Sequence, residues 1–155
     1  MTEFIKKLVK TDDHAGLLIL RITFAAVMLP HGLQKLFGWF GGAGLVKTIN
    51  GFEAGLGLHP LLTIFVIVIE TVGSLLLAAG IFTRKMALLM IAVMMGAVAT
   101  VHHKFGFFMN WSGKQGGEGY EYHILAVAMM AVLVIYGGGK YSVDRYLSRK
   151  LFREN

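Results

Sequence analysis

The chain is 155 residues long, with 55% apolar and only 15% charged residues and no cysteine. So few charges cannot coat a soluble domain, where roughly a quarter of residues are charged, and so much apolar content excludes disorder. Without cysteine, the chain alone can carry no disulfide, iron–sulfur cluster or thiolate metal site, and the placement of its net charge of +6 argues against nucleic acid.

Four hydrophobic spans follow in order, each measured against the roughly 20 apolar residues a helix needs to cross a bilayer. Before the first, Phe4, Ile5, Leu8 and Val9 alternate with Lys6, Lys7 and Lys10 as in a helix lying on lipid. Span one covers about 15–36 and contains Arg21 and Pro30. Pro30 removes a helix hydrogen bond directly before His31. Arg21, Met28 and Lys35 recur at seven-residue spacing, so they share a face with His31 nearby. No small-residue cleavage site follows a short apolar core, so the span reads as a retained helix rather than a signal.

Residues 37–59 form the longest connection and contain seven glycines. Leu45, Ile49, Phe52 and Leu56 within it recur at helical spacing, which predicts a short interfacial helix in the first outer loop. The glycine run 38–44 lacks the preceding strand and the Lys-Ser/Thr ending of a phosphate loop, and reads as a turn. Span two covers about 61–82 and carries one charge, Glu70. Arg84 and Lys85 link it to span three, about 86–105, which has no charge as far as Val101. A second glycine-rich loop leads to span four, about 120–136. Gly137, Gly138 and Gly139 end that span, and Ser142 opens a basic amphipathic tail over 141–153.

The basic residues sort by side. Ten flank the termini and the link between spans two and three, against Lys35, Lys47, Lys104 and Lys114 on the other side. The positive-inside bias then places both termini in the cytoplasm. Trp39, Phe40, Phe105, Phe107, Phe108, Trp111, Tyr120 and Tyr122 gather at the outer level, as amphipathic rings do at headgroup depth. The expectation is a single all-α domain over 1–155, an integral membrane four-helix bundle in the inner membrane.

Intramembrane ionisable groups are the first functional candidates, because each costs at least about 2.5–3.5 kcal/mol in hydrocarbon and seeks an internal partner. Arg21 and Glu70 lie deepest, roughly 9 Å and 18 Å from the inner ends of their helices at about 1.5 Å per residue. They are expected to pair, either as a proton or substrate site or as a structural ion pair. His31, His59, His102, His103 and His123 fall at one outer level, with Glu121. Imidazoles there can bind a metal, shuttle protons or hydrogen-bond a quinone carbonyl. His102 and His103 are adjacent and diverge on a helix, so no tight metal motif is present and no metal site is assigned. The candidate ligand or proton site comprises His31, Lys35, His102, His103, Glu121 and His123. The methionines of spans three and four sit at helical spacing and read as packing.

At these residues the chain resembles the DoxX family of small bacterial and archaeal membrane proteins. The matching elements are the early arginine of span one with the run His31-Gly32-Leu33-Gln34-Lys35-Leu36-Phe37-Gly38. Glu70 and the exit Gly80-Ile81-Phe82-Thr83-Arg84 match in span two, and Glu121 and the exit 137–145 match in span four. The resemblance implies a four-helix membrane fold. Its relatives include the DoxD-type subunit of thiosulfate:quinone oxidoreductase and a membrane component assembled with superoxide dismutase and a sulfurtransferase in mycobacteria. They imply redox or sulfur chemistry beside the quinone pool. Three readings follow: a redox-linked subunit binding a quinone or small redox or sulfur species, a transporter of a small anion or sulfur species with Arg21 in its path, and a scaffold recruiting soluble partners through the basic tail. No cofactor is firmly implied; a quinone is the one candidate. The partners expected are the lipid bilayer and a second copy of the chain or a redox protein, with no nucleic acid.

Overall fold

The computed structural model describes residues 9–152. Among them six helices and no strands occur. The expected N-terminal surface helix lies almost wholly outside the described residues. Helix α1 is Gly16–Phe37, α2 is Leu45–Leu56, α3 is Pro60–Ala79, α4 is Thr83–Thr100, α5 is Glu121–Tyr136 and α6 is Val143–Phe152. Each span boundary lies within a few residues of its expected place. The largest difference is α4, which stops at Thr100 and continues as a tight 3-10 turn over His102–Phe105.

Glycine sets the helix ends. Gly38 leaves α1 at φ 74°, and its N–H returns to the Gln34 carbonyl at 3.1 Å. That left-handed conformation is costly for other residues and closes the helix. Pro60 opens α3 at the position where its missing N–H is harmless, and His59 caps it, with Nδ1 accepting from Leu61 N at 3.3 Å. In the middle of α3 the chain widens into a π turn over Ile69–Gly73. Ser142 caps α6, its Oγ accepting from Arg145 N at 3.2 Å.

α4 and α5 form an antiparallel hairpin, and α1 packs antiparallel on α3 and crosses to α5. The core between them holds Phe24, Met28, Leu77, Met90, Met130 and Leu133. The methionines are therefore packing, as expected, and Met95 alone of that run points out. α3 overhangs the end of α1 and meets α2 there. Asp12 and the start of α6 lie at one end of the bundle, where Asp12 N donates to the Tyr136 carbonyl at 2.9 Å. The loops 38–59 and 101–120 lie at the other. These are the termini end and the loop end below.

Three helices, α1, α3 and α4, are long and apolar enough to cross a membrane, while α5 is apolar but shorter. Ile19, Leu61, Leu75, Leu88, Leu125 and Ile135 are all exposed. A belt of aliphatic side chains on the outside of a bundle is stable against hydrocarbon, not water.

Candidate functional site

The polar face of α1 carries the two strongest groups at its two ends. Near the termini end Arg21 is 1% exposed. Its Nε donates to the Gly138 carbonyl at 3.0 Å, and Nη2 donates to the Tyr141 and Lys140 carbonyls at 2.7 and 3.3 Å. Nη1 donates to the Ala78 carbonyl. Carbonyls at helix ends lack internal partners and carry partial negative charge, so a guanidinium fork suits them. The expected Arg21–Glu70 pair is absent. The antiparallel register sets Arg21 opposite Ala78, and the 14 residues from Arg21 to Lys35 raise the next cation by about 21 Å. Arg21 therefore closes the end of the fold.

Glu70 meets Lys35 instead. Lys35 Nζ lies 2.6 Å from Glu70 Oε2, with the side chains 22% and 6% exposed. Lys35 also donates to the His31 carbonyl at 3.4 Å. Close packing of the two backbones permits this pair. A Cβ at Gly32 would come within 2.8 Å of Thr71 N, against the π turn itself. The turn also frees carbonyls that side chains take up: Ser74 Oγ donates to Glu70 O at 2.6 Å and Thr71 Oγ1 to Ile67 O at 2.8 Å. Turns of this kind recur where a helix is re-aimed for function.

The histidines divide. His31 is exposed on the flank of α1, within electrostatic range of both Lys35 and Glu70. His123 is 6% exposed, and its Nδ1 has no hydrogen-bond partner. His102 packs on it with ring centroids 4.2 Å apart, and His102 Nδ1 pairs with the Glu118 carbonyl at 2.8 Å. His102 and His31 both act on His123 electrostatically. His103 stands apart, folded back with Nδ1 3.2 Å from the Val98 carbonyl and its side chain exposed. Tyr122 completes the group. Its hydroxyl donates to Met28 Sδ at 3.5 Å and feels the Glu70 charge.

Glu121 serves the loop instead. Its Oε1 accepts from Met109 N at 2.9 Å and from Trp111 Nε1 at 3.2 Å, while Glu118 Oε2 accepts from Asn110 N at 2.6 Å. The two carboxylates fold the 106–120 connection over the end of the α4–α5 hairpin.

The structure thus pairs Lys35 with Glu70 and stacks His102 on His123, with His31 in electrostatic range of both groups, while Arg21, His103 and Glu121 bond elsewhere. Sequence reasoning missed Tyr122, which it placed among interfacial aromatics. The available signal was its position beside His123. Among the described residues no three His, Asp or Glu side chains converge as metal ligands. The chemistry on offer is an internal ion pair with imidazole and phenol groups around it, able to donate hydrogen bonds to a carbonyl or to hold a proton.

Apolar helices with an outward aliphatic belt around one internal charge pair define a small helical membrane protein. The chain belongs to the DoxX family, whose model matches residues 16–103. It is similar to "Putative oxidoreductase CatD" of Bacillus subtilis (strain 168), 32% identical over 95 residues, which cover 61% of this chain and 66% of that protein, just under two thirds of its length. It is also similar to "Inner membrane protein YphA" of Escherichia coli (strain K12), 27% identical over 129 residues, covering 83% of this chain and 88% of that protein. No solved structure matches.

Proposed function

We propose that this chain is a redox-linked membrane subunit that binds a quinone or another small redox or sulfur species at the loop end of the bundle. In this reading α1, α3, α4 and α5 all span the membrane, both termini are cytoplasmic, and the chain works with a second copy or a redox protein. The observation that carries it is the Lys35–Glu70 pair, held on a π turn within apolar helices, with His31 and Tyr122 in electrostatic range of it and His123 in range of His31. A charge pair is expensive there, and such groups mark functional paths. His31 is open to the side, so a lipid-soluble ligand can approach from the bilayer, and His123 holds an uncommitted nitrogen behind it. The printed name of the Bacillus relative, an oxidoreductase, agrees with this reading. A cofactor supplies the electron chemistry, and these side chains bind and orient it.

The test is binding of a short-chain ubiquinone and menaquinone to purified wild type and to His31→Ala and His123→Ala. About tenfold weaker binding in either variant, one lost hydrogen bond's worth, supports the reading. Equal binding in all three, or none in any, defeats it. The transporter reading lacks its key residue, because every nitrogen of Arg21 is engaged with carbonyls. The scaffold reading keeps only the outward face of the tail, with Tyr141, Tyr146 and Arg149 exposed, since Ser142, Asp144 and Ser148 are buried.

A further inference from the structure

Lys35 has a second setting besides Glu70. It lines a cleft of about 320 Å³ between the end of α1 and α2, together with Gln34, Gly42, Lys47, Thr48 and Phe52. The floor of the cleft is fixed. Gly42 is pressed on the Gln34 backbone, where a Cβ has no room, and Thr48 Oγ1 donates to the Lys35 carbonyl at 3.5 Å. The first turns of α2 form one wall, and their positive dipole end adds to the two ammonium groups. No carboxylate lines the cleft, and Glu70, the partner of Lys35, is buried and outside its lining.

We propose that this cleft is an oxyanion site, and that Lys35 is shared between the bound oxyanion and Glu70. Two lysines facing one small cleft with a single carboxylate behind them leave one uncompensated positive charge, which a phosphate or sulfate group satisfies. The occupant is a free oxyanion or the phosphate of an anionic lipid, since the cleft opens at the loop end of an apolar bundle. The oxyanion and Glu70 compete for one ammonium, so weakening either hold strengthens the other. The inference uses the Lys35–Glu70 pair and needs no quinone.

The test is sulfate and phosphate titration by calorimetry of the full chain in phosphatidylcholine nanodiscs. A parallel arm uses native mass spectrometry of the chain in nanodiscs containing phosphatidylglycerol. Lys47 is exposed, so Lys47→Gln leaves the fold intact and should weaken binding about tenfold, the loss of one charge-assisted contact. Lys35→Gln should weaken it similarly, and Glu70→Gln should tighten it. Inorganic anion binding with this pattern assigns a free oxyanion. Lysine-dependent retention of phosphatidylglycerol without sulfate or phosphate binding assigns a lipid headgroup. Binding of neither kind, or binding indifferent to Lys47→Gln, overturns the site. Lys47-dependent binding that Glu70→Gln leaves unchanged overturns the sharing of Lys35. Quinone binding is read separately through His31→Ala, so the failure of one reading is distinguishable from the failure of the other.

Discussion

Lys35 and Glu70 hold each other in a setting where neither is tolerated alone. Removing one partner of a buried pair costs about 3–5 kcal/mol, because the other is left uncompensated. Lys35→Met should therefore destabilise strongly in detergent unfolding, while Lys35→Met with Glu70→Met should recover much of the loss. A double variant as unstable as the sum of the singles would show that the groups do not couple. Arg21 is a different case, since its partners are carbonyls. Arg21→Lys keeps the charge but cannot reproduce the fork, and should cost about 2–3 kcal/mol of stability. A lysine variant that melts with the wild type would mean that charge alone suffices. Glu70 was legible as a single charge in a long apolar span, and Lys35 by its place two seven-residue steps beyond Arg21. Their pairing was not legible, because sequence sets no register between two helices. The partners of Arg21 were illegible for another reason: backbone carbonyls leave no mark on residue type.

At the scale of helices, the joint between α3, α4 and α6 rests on Asp144, which is 2% exposed. Its carboxylate accepts from Phe82 N at 2.8 Å and Thr83 N at 2.7 Å, capping α4 from a helix some sixty residues away. Burial pushes this carboxyl above the ordinary aspartate value, outweighing the two N–H donors and the nearby Arg21. A raised value in the folded state means that folding favours the protonated form. Its contribution is thus complete below the unfolded value and is lost as pH rises through the folded one. The melting temperature should fall as pH rises above the ordinary aspartate value, by an increment that Asp144→Asn abolishes. A variant with the wild-type pH profile would exclude this carboxyl as the source. The contact of α1 with the π turn is equally narrow. Gly32→Ala should separate the helices, cost about 1–3 kcal/mol and weaken the Lys35–Glu70 pair. Helix positions were legible because apolar length and terminal glycines mark them. The π turn was not, since it depends on hydrogen-bond phase rather than on any residue type.

For the whole molecule, the absence of cysteine makes topology directly testable. Single cysteines at Lys114 and Lys140 should label from opposite sides of intact spheroplasts, with Lys140 reached only after permeabilisation. Labelling of both from outside would defeat cytoplasmic termini. The class of protein was legible from composition, since 15% charge cannot cover a water-facing surface. The division of labour between the ends was not: sequence put Arg21 and Lys35 on one face of span one with His31 nearby and paired Arg21 with Glu70, whereas the fold uses one end for closure and the other for a polar cluster. That closure bears on how the protein is made. Arg21 emerges early in synthesis, but its acceptor Gly138 follows 117 positions later. At about 5–20 residues per second, roughly ten seconds separate them. During that interval the nascent first helix carries a guanidinium that only the Ala78 carbonyl can answer, so it must wait beside the insertion machinery, or float shallow with its charge at the headgroups, until the last glycines arrive.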